Sequence, residues 1–454
     1  MPEGDDRLAE VVAFHQEGFR RAEEMWPHLQ EVTESVNEDG RFVTFLSQEW
    51  HSMQHGDHNV YFKGGQGEIV RTADLEGMRA KLRGLAQQGM ECFLIPHHIG
   101  YLTGYRGINW DEFTPEFTPV VEIISMHGLA ESSDAPYPYL HAMGPRDGKG
   151  TMQHGLRTGR VFGVIGSTDH HSAHPGTYGH GRVSVWAREL TRDGIWEAIA
   201  ARRTYALTGD RITLAFSVNS RPMGSVLPPT PERSIEVSVA GGGAIDYVEV
   251  LHRNHAIHRW SAHECKVHDT SEPVKVLLEL GWGEKGLNFD WNVDLRLIDG
   301  KLLSVEPRFR GPDIITPLQA DRGEHIFSNW AQLGDEQVRF ATRTWGNPNT
   351  VTPATQGLCL EILGRESTRI AGQINGYDIH VDLAELAHGS RVGYLGGYRA
   401  PAYCFQRAVS KAEYTCNTSL MHRSDGGGRD WYYVRVCQKN GQWAWSSPIW
   451  VEGS

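Results

Sequence analysis

The stretch Gly166-Ser167-Thr168-Asp169-His170-His171-Ser172-Ala173-His174-Pro175-Gly176 carries the strongest sign of chemistry in this sequence. It follows Val161-Phe162-Gly163-Val164-Ile165, an apolar run that predicts a buried strand ending in a polar loop. Asp169 and His171 stand two apart on that loop. A carboxylate and an imidazole there can share a cavity while the strand holds their backbone, which suits a divalent metal. The plainer alternative is a solvated loop with an Asx-turn, because Asp, Ser and His are ordinary loop residues.

Recurrence favours the metal. Cys92-Phe93-Leu94-Ile95 runs into Pro96-His97-His98, Val120-Val121-Glu122-Ile123-Ile124 runs on to His127, and Phe42-Val43-Thr44-Phe45-Leu46 runs on to Glu49. Each His alone is more often a satisfied core or surface residue. Four apolar runs that each end in a metal-competent residue match the plan of barrel and doubly wound enzymes, whose ligands gather at the C-terminal ends of successive strands. We therefore expect Glu49, His97, His127, Asp169 and His171 to converge on one cavity. His98 is the register alternative to His97: alternation along a strand sends neighbours to opposite faces, so only one of the two should point inward.

The elements that position these residues follow from periodicity. Residues 5–33 read as a helix, with Leu8, Val11, Val12, Phe19, Met25, Trp26 and Leu29 mostly on one face and Pro27 as a kink or restart. Strands are expected at 42–48 and 59–62. Thr72 to Gln88 reads as a helix with Thr72 as N-cap and Gly89 past its end. Thr191 to Arg203 is a second amphipathic helix, capped by Thr191. This strand–helix–strand order predicts an α/β region over residues 1–211. From residue 212 to 454 short alternating segments replace it, among them 212–218, 235–239, 248–251, 276–280, 290–297, 431–436 and 443–445. They predict an all-β, sandwich-like domain without long helices. The triple glycines at 241–243 and 426–428 lack the strand–loop–helix context of a phosphate cradle.

Composition bounds the function. With 454 residues, 39% hydrophobic and 22% charged, the chain is an ordinary soluble globular protein long enough for two or three domains. Its net charge of −12 argues against nucleic-acid binding. No apolar run approaches the length of a membrane span, and the acidic start Met1-Pro2-Glu3-Gly4-Asp5-Asp6 is no secretory signal. Six scattered cysteines, Cys92, Cys265, Cys359, Cys404, Cys416 and Cys437, fit reduced thiols in a cytoplasmic protein. Of 23 histidines, fourteen precede residue 181, which places the chemistry in the first region.

Several motifs together resemble the PHP (polymerase and histidinol phosphatase) superfamily, and more closely its DUF3604 branch. They are Phe45 through Trp50, Asn59-Val60-Tyr61-Phe62, Ile95-Pro96-His97-His98, Val121-Glu122-Ile123 with His127-Gly128, and Gly166 through His171. Pro175-Gly176-Thr177-Tyr178-Gly179, Arg202 through Gly209 and the ending Trp431 through Trp450 resemble that branch too. The resemblance implies a distorted β/α barrel holding two or three divalent ions, Mn, Zn or Fe. Glu49 matches the bridging carboxylate, His97 and His127 the middle ligands, and Asp169 with His171 the terminal Asp-x-His pair. The family's opening His-x-His strand and its strand ending in an Asp-His pair have no counterpart here. The expected fold is thus an incomplete barrel followed by the β domain, in a natural protein that starts further upstream or closes the gap with another chain.

The resemblance implies hydrolysis of a small-molecule ester, phosphoester first and carbamate or carboxylic ester second, with His98, His170 and His180 as candidates for general acid or leaving-group contact. A non-catalytic remnant that binds other molecules is the contrasting reading. The β domain has three roles open to it: positioning substrate, covering the site, or building a homo-oligomer.

Overall fold

The computed structural model describes residues 5–141, 144–171, 174–261, 272–283, 287–311, 328–345, 354–396, 401–424 and 427–453. Cys265 and Met1 lie outside them, as do the side chains of Leu8, Val11 and Val12. Two compact units emerge. The first comprises Met1–Ile123, Leu129–Val164 and Val185–Thr204; the second comprises Ile124–Gly128, Ile165–Ser184 and Tyr205–Ser454.

The first unit opens with helix α1 (Asp5–Ser35), followed by strand β1 (Leu46–Trp50), strand β2 (His58–Phe62), helix α2 (Leu75–Gln87) and strand β3 (Cys92–Pro96). The predicted amphipathic face of α1 is only partly used: Trp26 is buried, whereas Phe19, Met25 and Leu29 are exposed. Helix α2 is capped by Asp74 rather than Thr72. The Asp74 carboxylate accepts from the Gly77 amide at 2.7 Å, and the Thr72 hydroxyl instead donates to the Asp74 carbonyl. Its Leu75, Met78, Leu82 and Leu85 pack with Leu46, Val60, Phe62 and Leu94 of the three strands. The second predicted helix spans Arg192–Ala200, with the Thr191 hydroxyl accepting from the Gly194 amide.

The β/α barrel expected from the resemblance is not formed among the described residues. β1, β2 and β3 make a three-stranded open sheet in that order, and both pairings are antiparallel. The physical reason lies in the connections. Only residues 51–57 separate β1 from β2, too few for the crossover of a dozen or more residues that parallel strands need. The longer excursion through α2 returns to the end it left, so that Phe62 pairs with Cys92. Strand β4 (Val120–Ser125) belongs to another open three-stranded sheet. Strand outweighs helix along the described chain.

The β-rich part of the second unit holds two separate cores. In one, alternating strands Thr213–Val218 and Glu232–Ala240 face a sheet centred on Asp430–Gln438, and Phe216, Val237, Val250, Val434 and Val436 interlock between them as in a sandwich. The other is built on two long antiparallel strands, Asn288–Arg308 and Gln356–Ile374, paired from Val293↔Ile374 to Arg308↔Gly357 through two irregularities. The predicted 290–297 strand is the first part of the former. Trp291, Leu295, Ile362 and Ile370 fill that core with Leu383 and Leu386 of a short helix, Leu383–His388. Cys92, Cys359, Cys404, Cys416 and Cys437 are buried and unbridged. Among the described residues no helix is long and apolar enough to cross a membrane.

Leu82 is fully buried where α2 meets the sheet that carries Glu49 and His97. Leu82→Ala should cost about 2–5 kcal/mol, read as a lower midpoint in chemical denaturation, since the cavity left there cannot collapse against a strand pair.

Candidate metal centre

Antiparallel order decides which residues meet. With Trp50 opposite His58 and His58 opposite Pro96, the end of β1, the start of β2 and the end of β3 share one edge. Glu49 stands near the end of β1, Asp57 just before β2, and His97 and His98 just after β3. One ligand atom from each of these four lies within 4.8 Å of the others. Glu49 Oε1 is 3.2 Å from His97 Nε2, and Asp57 Oδ2 is 3.3 Å from His98 Nε2. Asp57, His97 and His98 are buried, while Glu49 opens the group to solvent.

The loop before Asp57 is tightly fixed. Asp57 Oδ1 accepts from the Ser52 amide at 2.8 Å, and Oδ2 from Arg106 Nε at 2.9 Å. Gly56 has φ +84°, and a Cβ there would lie 2.9 Å from the Gly107 carbonyl oxygen, so the turn requires glycine. His98 has φ +33°, a left-handed backbone rare for a side chain of its size. That twist overturns the expectation that His97 and His98 point to opposite faces. Strand geometry ends at Pro96, the two rings stand 3.9 Å apart, and both join one ligand group.

The local electrostatics favour the charged carboxylates. Burial alone would raise the Glu49 carboxyl, but His51 and His97 beside it outweigh burial and bring it down to about 2. Asp57 is likewise opposed by burial, yet His51 and His98 hold it far below the usual carboxylate range. His51 lies 2.9 Å from Asp57 Oδ2 and 3.8 Å from Glu49 Oε1; these two raise its imidazole to about 9. His58 differs: burial pushes it down to about 4, and its Nδ1 pairs with the Gly56 carbonyl, so it braces the loop as a neutral ring.

In the second unit the other expected ligands meet. The Ser167 amide donates to the Ile124 carbonyl and the Met126 amide to the Thr168 carbonyl, which sets the loop after residue 166 beside the one after β4. Gly181 allows that approach, because a Cβ on it would fall 2.3 Å from the Ser167 carbonyl oxygen. Asp169 Oδ2 then lies 2.9 Å from His127 Nε2, and its Oδ1 lies 3.7 Å from His171 Nε2. Asp169 has φ +46°, so here too a ligand-type residue sits in a left-handed backbone. His170 and His180 stack with ring centroids 5.5 Å apart, and burial pushes His180 down to about 4.

Glu49 and His97 therefore meet in the first unit, and His127, Asp169 and His171 in the second. Asp57 and His51 were missed by the sequence reading. The readable signal was Asp57-His58 directly before an apolar strand; a search confined to strand ends, as parallel strands demand, passes over a strand start.

Residues 177–221 match the family described as protein of unknown function (DUF3604). That segment contains Tyr178, whose hydroxyl donates at 2.6 Å to Asp210, itself 3.0 Å from Arg308 in the second unit's interior. The chain is 25% identical over 252 residues to an uncharacterized protein of Chlamydia pneumoniae, covering 52% of this chain and 40% of that one. It is 31% identical over 169 residues to an uncharacterized protein of Chlamydia trachomatis, covering 34% and 27%. The chain thus spans less than half the length of these curated relatives. No solved structure matches it.

If Asp57 is what raises His51, Asp57→Asn should return the His51 imidazole from about 9 toward its ordinary 6.5, as followed by NMR titration of the metal-free protein. In the unsubstituted protein the His51 contribution to stability should be complete below pH 6.5 and disappear as pH rises through about 9.

Proposed function

We propose that this protein is a metal-dependent hydrolase of ester bonds, phosphoesters first, related to the PHP superfamily through its DUF3604 branch. The observation that carries the proposal is the group of Glu49, Asp57, His97 and His98. Two carboxylates and two imidazoles are a donor set for Mn, Zn or Fe, and folding alone gives no reason to gather them at one sheet edge. The same set fits the ion that the resemblance implies. The buried Asp57 carries charge with no metal present, held by two histidines and Arg106, which is the form a ligand must take.

A divalent ion held by these side chains would supply a Lewis acid and an activated water at neutral pH. The chain's own residues prepare that site. Arg106 and the Ser52 amide fix the Asp57 carboxylate in one orientation. The main-chain amide of His98 donates to Glu122 at 3.0 Å, which holds the strained turn that presents both imidazoles. In the second unit Asp169 is placed between His127 and His171, a second carboxylate–imidazole group of the same ligand type.

The test is metal content and chelator sensitivity together. Purified protein should carry Mn, Zn or Fe near stoichiometry, and chelation should abolish hydrolysis of an aryl phosphate that added metal restores. Asp57→Asn and His97→Ala should each lower metal affinity by at least tenfold. Affinity should also climb with pH toward about 9, because His51 must release its hold on Asp57 as the metal enters. Metal-free protein, or hydrolysis indifferent to chelator, would overturn the proposal.

A further inference from the structure

Among the described residues of the second unit one cation has no carboxylate at ion-pair distance, with Glu279 and Asp210 acting on it only from further off. Arg308 is matched by Asp210 at 3.0 Å, but Arg310 has no paired carboxylate among the described residues. Its backbone is clamped: the Arg310 amide donates to Gln356 Oε1 at 2.6 Å, and Gln356 Nε2 donates back to the Arg310 carbonyl at 2.7 Å. Its guanidinium lies 4.9 Å from the Tyr178 ring centroid and donates through Nη1 to the Tyr178 carbonyl at 2.9 Å. Its Nε is buried with no hydrogen-bond partner among the described residues. A guanidinium held this firmly, with a donor unused, is costly unless something negative completes it.

Three imidazoles lie along this segment, His170 and His174 against Gly311 and His180 close enough to Arg310 to feel its charge. A Cβ on Gly311, the next residue, would stand 3.0 Å from His170 Cε1 and 2.5 Å from His174 Cβ, so the chain at 310–311 rests directly on both. The Gly311 amide donates to Thr177 Oγ1 and the Tyr178 amide to the Phe309 carbonyl, which locks this segment to the 176–180 loop. His180 stacks on His170 and has its own buried Nδ1 without a partner among the described residues. His170 Nδ1 accepts from the His174 amide at 3.3 Å, so in the neutral ring the proton sits on Nε2 as a donor. All three residues are half-buried. No metal-type grouping joins them, as their ring nitrogens do not converge closely enough among the described residues.

We propose that Arg310, with His170, His174 and His180, binds the phosphoryl group of the substrate. A guanidinium fork and imidazole N–H donors are the chemistry that recognises a dianionic oxyanion. The site begins one residue after Asp169, so it lies in sequence against the candidate metal ligands. It deepens the hydrolase reading and rests on it, and it sets phosphoesters apart from neutral carbamates and carboxylic esters, whose reacting group carries no anionic oxygen to pair with such a cation.

The probe is inorganic phosphate added to the full chain after chelator treatment, followed by calorimetry or 31P line broadening. Wild-type protein should bind phosphate without metal. Arg310→Gln should weaken it at least tenfold and His180→Asn severalfold, and the latter carries the test should Arg310→Gln fail to fold. Phosphate binding unchanged in both variants, or present only when metal is bound, would overturn the proposal. Phosphate binding that depends on Arg310 in a protein that never takes up metal would sink the hydrolase reading and leave this site standing. A metal-loaded protein whose phosphate binding ignores Arg310 would do the reverse.

Discussion

A charged carboxylate almost out of contact with water is what the first unit is organised around. Asp57 is 1% exposed. Removing a carboxylate from water costs several kcal/mol even after relaxation, so it is kept only where partners return that cost. Here they are Arg106, the Ser52 amide, His51 and His98. Each partner constrains a different piece of chain. Ser52 and His51 fix the turn out of β1, Arg106 fixes a distant loop, and His98 fixes the exit from β3. Replacing the carboxylate would leave a guanidinium and an amide without an acceptor, so its loss is felt across the sheet edge rather than at one contact.

The apolar runs were legible because they are period-two segments or short buried stretches, and strands stand at Val60, Leu94, Ile123 and Val164 as periodicity requires. Strand direction was not legible. An apolar run reads alike whether its neighbour is parallel or antiparallel, and the resemblance to barrel proteins supplied the parallel answer. The evidence against it was already visible as length, in the seven residues between Trp50 and His58. With direction wrong, strand ends were searched and the strand start at Asp57 was not. Of the long strands Asn288–Arg308 and Gln356–Ile374 the sequence shows only the stretch 290–297, because register shifts near Gly300 and Ser304 break the alternation of the first, and Gln356–Ile374 stood out nowhere.

The His97–His98 pair shows where a local rule properly fails. Alternation governs residues inside a strand, and both histidines lie past Pro96, the last strand residue. The left-handed φ at His98 rotates its side chain back toward the partner it would otherwise oppose. Asp169 in the second unit repeats the device at φ +46°. Non-glycine residues in that region cost of order 1–3 kcal/mol each, and they persist where surroundings over-determine them. At His98 the surroundings are visible: its amide is held by Glu122 and its ring by Asp57 and Arg106.

That pattern also explains why the second unit invests so heavily in fixing its loops. Asp169 is followed at once by residues packed under 310–311, and that segment is clamped by Gln356 and Thr177. Beneath it Asp210 accepts from Tyr178, Gln438 and Asn440 and pairs with Arg308, so one buried carboxylate ties the 176–180 loop to three separate strands or turns of the β-rich part. A loop that must keep a carboxylate in a strained backbone cannot rely on its own hydrogen bonds, which would relax first. It needs an anchor whose cost of release is larger than the strain it stores, and a buried ion pair with every acceptor position filled is such an anchor. The strained candidate ligands and the buried charges of this protein are thus two sides of one arrangement, in which desolvated carboxylates hold a strained backbone in place.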